Sequence, residues 1–254
     1  MKPQIPWLRV FVEGVVIVGS ILLAFGIEAW WDDRQEAEVE RGYVARIAAD
    51  LRETRASIEE NADHYQMLLR HAAAVAPILD GAQPFPEDTL GFLASVLQAS
   101  RITAPIVARS AYDDLISTGN LRLIRSDTLR YELSRFYGRV EVRLDPVNYS
   151  GDQEPFRAVV RSVIPVEVQI ALREHCFQSE PLYCDGHASP GGLQETARAL
   201  MAEPGLVRML TFSSQAKAVR IGFLLDGAGF TGGFGVVTES IDGLLALLST
   251  EYGA

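Results

Sequence analysis

Apolar residues follow three rhythms along this chain, and each predicts a different element. The first is unbroken. From Val10 to Ala29 the sequence reads VFVEGVVIVGSILLAFGIEA, polar only at Glu13, Ser20 and Glu28. At about 1.5 Å per helical residue, Trp7 to Trp30 covers roughly 35 Å, enough for a hydrocarbon core of about 30 Å and its two interfaces. Trp7 at one end and Trp30 and Trp31 at the other would occupy the headgroup belts. Two other readings of this segment stay open. One is a cleaved signal peptide, with Lys2 and Arg9 as its basic start and Ala24-Phe25-Gly26 as its small-residue site. The other is the buried N-terminal helix of a soluble protein. Glu13 interrupts the run where a signal peptide is apolar, and the flanking tryptophans suit a retained anchor, so a span is the preferred expectation.

The second rhythm is a stripe. Asp32 to about Ala74 holds no Pro and one Gly, Gly42, and carries Val39, Tyr43, Ile47, Leu51, Ile58, Tyr65 and Leu69 at spacings of four and seven. This is one face of a long helix that can run on from the span, destined either for a bundle core or for a coiled-coil seam. Val39, Tyr43, Ile47 and Leu51 are the candidate seam residues. Arg46 with Asp50, and Arg55 with Glu59, are expected to pair at i,i+4 on the wet side.

The third rhythm is a series of short amphipathic stretches separated by breakers. Pro77, Gly81, Pro84 and Pro86 predict a loop, then Thr89–Ser100 a short helix and RITAPIV an irregular link. A helix from Ser110 should stop at Gly119-Asn120, and Ser126 should cap the next, with Asp127 in its first turn. Leu129, Leu133, Phe136 or Tyr137, and Val140 form the buried face of that second helix. Helical segments are expected over Phe156–Phe177, stopped or kinked at Pro165, and over Gln194–Ala202, Gly205–Leu225 and Val236–Tyr252. The last presents Val237, Ile241, Leu244, Leu245 and Leu248 on one side. Strand patterns are sparse. The predicted fold class is all-α: residues 1–31 as tail and transmembrane anchor, and residues 32–254 as a helical, bundle-like extracytoplasmic domain.

Composition narrows the function classes. Among 254 residues, 22% are charged and 48% hydrophobic, too polar for many spans and too apolar for disorder. A net charge of −10, with Lys only at positions 2 and 217, argues against nucleic acid as the partner. Basic residues on either side of the span do not by themselves decide its orientation. The nine-residue tail suits a signal-anchor with its N-terminus inside. Within the span, Arg9 and Glu13 are one turn apart and are expected to pair near the interface. Ser20 and Ala24, beside Gly19, are a small-residue pair that lets a second helix approach.

Candidate chemistry is thin. Cys176 and Cys184 enclose a short loop and suggest a disulfide in an oxidising compartment. With His175 and His187 beside them, a zinc site or two free thiols are the alternatives. His64 and His71 lie seven apart on the long helix and are read as surface residues rather than ligands. Gly227-Ala-Gly229-Phe-Thr-Gly232 matches G-x-G-x-x-G, but only 22 residues follow, too few for a dinucleotide-binding unit. The adjacent carboxylates Asp32-Asp33 and Asp113-Asp114 are read as solvated helix faces. No nucleophile elbow occurs.

Two stretches resemble an uncharacterised bacterial family of single-pass membrane proteins with a helical domain of unknown function. One runs from Val12-Glu13-Gly14 through Trp30 to Tyr43 and Leu51. The other is Tyr112-Asp-Asp-Leu-Ile-Ser-Thr-Gly-Asn-Leu-Arg-Leu-Ile124 with Leu129, Leu133, Phe136 and Tyr137. The resemblance implies a membrane-anchored helical protein and carries over no catalytic residue. The expectation is a non-enzymatic protein of the bacterial inner membrane, its bulk periplasmic. It would need no cofactor, and would act by binding a protein partner or a second copy as scaffold or accessory subunit. A periplasmic sensor signalling through a membrane partner is the alternative.

Overall fold

The computed structural model describes residues 7–144, 155–176, 184, 191–225 and 233–253, with backbone only for 7–10 and 221–225. Among these residues the secondary structure is helical, without a strand. Helix α1 runs from Trp7 to Leu79, 73 residues without a break. At about 1.5 Å per residue it is roughly 110 Å long. The span and the amphipathic stripe are therefore one element, and residue 31 marks no joint in the backbone. Pro77 does not end it. A proline in the last turn removes one donor and leaves little helix beyond to disturb. The stop comes two residues later, where Gly81 adopts φ 73° and its N–H returns to the Ile78 carbonyl at 3.1 Å.

The rest of the chain wraps the distal part of α1. Helix α2 (Thr89–Ala99) begins at Asp88, whose carboxylate accepts the Gly91 N–H at 2.8 Å. Helix α3 (Ser110–Ser117) ends at Gly119, φ 70°, and passes through a 3-10 turn (Asn120–Leu123) into α4 (Asp127–Tyr137). Ser126 caps α4 by accepting the Leu129 N–H at 3.1 Å, as its position in sequence predicts. Helices α5 (Val140–Leu144), α6 (Pro155–Val163) and α7 (Val166–His175) follow, the last two separated by Pro165. Helices α8 (Leu193–Met201), α9 (Leu206–Leu225) and α10 (Phe234–Tyr252) are the last among the described residues.

Two hydrophobic clusters are strung along α1. The nearer to the span joins Val44, Ile47, Leu51, Ile58 and Leu68 of α1 to Leu115, Leu129, Leu133 and the α10 residues Val237, Ile241, Leu244 and Leu248. Both Phe136 and Tyr137 are buried there, settling the choice the sequence left open. The farther cluster joins Ala72 and Val75 to Leu93, Phe156, Val160, Leu172, Leu200 and Leu210. One helix thus carries the anchor-like segment and the spine of both cores.

Candidate functional site: the exit of the long helix and its polar seam

Over residues 11–31 every side chain of α1 is exposed. Its most apolar 18-residue window has a mean hydropathy of 2.0, and none of that window is buried within the molecule. Phe11, Leu22, Leu23, Phe25, Trp30 and Trp31 are all more than half exposed. The helix is long and apolar enough to cross a membrane. Exposed apolar surface on this scale calls for a cover, and none is provided by the described residues. Trp30 and Trp31 stand side by side with ring centroids 6.4 Å apart, and the Arg34 guanidinium lies 5.8 Å from the Trp30 ring. Ser20 returns its hydroxyl to the Val16 carbonyl at 2.7 Å, and Ala24 is exposed. The side chains of Trp7 and Arg9 lie outside the described residues, so the pairing expected between Arg9 and Glu13 does too.

Two residues beyond Trp31 the domain begins to grip. Arg125 donates to the Asp33 carboxylate at 2.6 Å and lies 3.5 Å from Glu40. Glu40 is 4% exposed. One of its oxygens accepts both the Arg125 backbone N–H and the Tyr252 hydroxyl, each at 2.6 Å. A single buried carboxylate therefore ties the start of the domain on α1 to the turn before α4 and to the last turn of α10. Its charge is offset by the adjacent guanidinium and by two donors, the condition under which a buried carboxylate is tolerated.

Tyr252 feels this environment. Its pKa is pushed up to about 12 by burial and by the hydrogen bond to Glu40, against an ordinary value of 10.0. An unfolded chain loses this proton near pH 10.0 while the folded one keeps it to about 12. The contribution to stability is thus complete below pH 10.0 and is lost as pH climbs toward about 12. In an ultraviolet tyrosinate titration, Tyr252→Phe should remove one late-ionising group. An unaltered alkaline limb would overturn the assignment.

Farther along α1, a polar seam takes over. Residues 101–109 are irregular, and their backbone needs partners. Asp50, Thr54, Ser57, Asn61 and Tyr65 supply them at spacings of three and four, running antiparallel to the link. Tyr65 donates to the Thr103 carbonyl at 2.6 Å, and Asn61 accepts from the Thr103 hydroxyl at 2.7 Å. Ser57 accepts the Ile106 N–H at 2.8 Å and Thr54 the Ala108 N–H at 3.0 Å. Asp50 accepts the Ala111 N–H at 2.8 Å and the Ser110 hydroxyl at 3.2 Å. Helix α3 has no capping side chain of its own, so Asp50 caps it from another helix.

This corrects one expectation. Arg46 does not pair with Asp50 on the wet side; it pairs with Asp114 at 3.2 Å, and Asp50 is 9% exposed beneath α3. A helix N-terminus placed over Asp50 is a stronger attraction than an exposed one-turn ion pair. Arg55 does pair with Glu59 at 3.3 Å and also reaches Asp242 on α10 at 3.2 Å. Asp113 pairs with Arg109 at 2.9 Å, and Asp114 also accepts from Tyr43 at 3.1 Å. Neither carboxylate is simply solvated. Tyr137 stacks on Tyr112 at 4.5 Å, its buried hydroxyl lacking a hydrogen-bond partner, and burial raises its pKa.

The candidate seam residues divide. Ile47 and Leu51 are buried in the first core cluster, Tyr43 packs half-buried at its edge, and Val39 is 41% exposed. Cys176 and Cys184 lie at disulfide distance, their Cα atoms 4.1 Å apart. Their sulfurs are occupied by each other, which leaves no thiolate to ligate zinc; His187 lies outside the described residues. His64 and His71 are half-buried rather than on the bare surface, and His71 Nδ1 lies 3.3 Å from the Ser95 hydroxyl on α2. The glycine motif at 227–232 is outside the described residues. Among those described, no group of three or more His, Cys, Asp or Glu is placed to hold a metal ion.

Sequence reasoning missed Glu40 and the seam. Glu40 is one of a run of acidic residues after the span, and nothing local distinguishes it. The seam has a faint signal: Asp50, Thr54, Ser57 and Asn61 are residue types that bond backbone groups, placed on one helical face. Comparison with family models, with curated proteins and with solved structures found no match for this chain.

Proposed function

We propose that this chain is a non-enzymatic, membrane-anchored helical protein that acts by binding a protein partner, as scaffold or accessory subunit of a bacterial envelope complex. One observation carries the reading. Residues 11–31 of α1 are apolar and uncovered, whereas the same helix beyond residue 40 is the buried spine of a folded domain. A lipid bilayer covers the first part and leaves the second in water. The resemblance to a family of single-pass bacterial membrane proteins supports the same assignment. So does the cysteine pair, which suits the oxidising side of an inner membrane and hence a periplasmic domain.

The full chain should pellet with membranes, resist high salt and alkaline washing, and enter solution only with detergent. Recovery in the soluble fraction after cell breakage would overturn the anchor. Reporter fusions at the C-terminus should read out as periplasmic. Purification in mild detergent, with crosslinking, should recover a defined partner or a second copy.

The unbroken path of α1 favours a second reading, a sensor whose domain binds a ligand and passes a shift of the helix to a membrane partner. A lone protein that binds a small molecule would favour it over the scaffold.

A further inference from the structure

No stalk separates the domain from the apolar segment of α1. Two residues past Trp31, Asp33 accepts from Arg125 Nη2 at 2.6 Å through its carboxylate and at 3.1 Å through its backbone carbonyl. The backbone N–H of the same arginine donates to Glu40, which also holds Tyr252 in the last turn of α10. At about 1.5 Å per residue, Asp33 stands about 3 Å beyond Trp31 along the axis and Glu40 about 14 Å. Arg125 therefore leans down along α1, its main chain near the level of Glu40 and its guanidinium near that of Asp33. Helix α3 descends toward the same end: Ala111 lies at Asp50, and Asp114 at Arg46 and Tyr43. The turn between α3 and α4, residues 118–126, is thus carried to the end of the domain where the apolar segment begins.

Phospholipid headgroups add about 5–8 Å to each side of a hydrocarbon core about 30 Å thick. With Trp30 and Trp31 in that layer, the Arg125 guanidinium lies within it and the turn lies against its outer edge. The charges there are of both signs. Arg125 is half exposed, and among the described residues nothing accepts from its Nη1. Arg122 is exposed and forms no ion pair among the described residues, and Arg34 lies over the Trp30 ring. Asp32, Glu36 and Glu38 are exposed on the same stretch of α1, while Asp127 is held by Arg130. Guanidinium groups match the phosphate of a headgroup and carboxylates match its ammonium, so a zwitterionic phospholipid satisfies both. A purely anionic lipid surface would meet those carboxylates in repulsion.

We infer, on the reading of residues 11–31 as a span, that the α3–α4 turn rests on the zwitterionic phospholipid headgroups of the bilayer that holds α1. The domain is then seated on lipid rather than carried on a stalk. Transmembrane helices tilt by about 20° on average, and here a tilt toward the turn would drive Arg122 and Asp127 into hydrocarbon. The seat therefore holds α1 upright. The second core cluster, at Ala72 and Val75, stands roughly 60 Å farther out along the same helix.

The test reconstitutes the full chain in phosphatidylcholine vesicles that carry a nitroxide on the lipid headgroup. Both native cysteines are joined to each other, so a fluorophore can be placed on one new thiol. Thr118→Cys and Thr128→Cys flank the turn at exposed positions, and Val166→Cys on α7, 65% exposed, lies in the second cluster's part of the domain. The label should lose most of its fluorescence at Thr118 and Thr128 and keep it at Val166, while Trp30 and Trp31 are quenched alongside. Circular dichroism matching that of the parent shows which labelled variants are folded, and either flanking position alone is sufficient. Quenched tryptophans with a bright label beside the turn would overturn the seat and leave the anchor standing. Tryptophans that stay bright would overturn the anchor, and the seat with it. Equal quenching at Val166 would mean that the domain lies flat on the bilayer, and quenching at the turn only when phosphatidylglycerol is added would overturn the zwitterionic headgroup.

Discussion

Tyr65→Ala should cost about 4 kcal/mol of unfolding free energy, the largest loss expected from any single truncation on α1. Tyr65 is 1% exposed and sits where three parts of the chain meet. Its ring lies 6.0 Å from that of Phe234 at the start of α10. The Arg220 guanidinium of α9 is 5.8 Å from its centroid and donates to the Leu144 carbonyl at 2.5 Å. Its hydroxyl fixes Thr103 on the irregular link. Removing the side chain opens a cavity between the α9–α10 pair and α1 and also leaves the Thr103 carbonyl without its donor. Tyr65→Phe keeps the packing and should lose only about 1–2 kcal/mol, the worth of the hydroxyl contacts. Denaturant unfolding of the full chain in detergent, followed by circular dichroism, checks both values. A loss below about 1 kcal/mol for the alanine variant would show that the three elements meet elsewhere.

Asp50→Ala ranks next, at about 2–3 kcal/mol. The Ala111 N–H, in the first turn of a helix with no cap of its own, would be left buried without an acceptor. Asp50→Asn keeps an oxygen in place and should recover part of the loss, though without the charge that meets the α3 dipole. Hydrogen exchange gives a local readout. The amides of Ala111 and its neighbours in α3 should exchange faster in Asp50→Ala while those of α8 keep their rates. Uniform acceleration across both core clusters would mean that Asp50 supports the whole fold rather than the end of α3.

Much of this fold is legible from local pattern. The apolar stripe read from Val39 to Leu69 is buried at Ile47, Leu51, Ile58 and Tyr65, and it, the serine cap at Ser126, the glycine stop at Gly119 and the break at Pro165 each follow from a rule acting within a few residues. Phe136 and Tyr137 show the limit of such rules. Periodicity admits either to the core, and only the arrival of α10 and α3 from two sides buries both. The polar seam is harder still, because Asp50 and Asn61 on a helix have the same signature whether they face water or a neighbouring backbone. Their partners are 42 to 61 residues away in sequence. Glu40 is more remote: its hydrogen bond to Tyr252 spans 212 residues.

The closing of α10 onto α1 sets the order in which the molecule can be made. The ribosome releases the stripe at Val44–Leu68 long before its covering residues Val237–Leu248. At roughly 5–20 residues per second, the interval between them is on the order of 10–40 s. Throughout that time the nascent helix displays Ile47, Leu51 and Ile58 to whatever is nearby, be it a chaperone, the translocation machinery or another growing chain. Losing Val237–Leu248 would prolong that exposure indefinitely. Stop codons that remove Val237–Leu248 should therefore yield quality-control substrates rather than shortened but serviceable proteins.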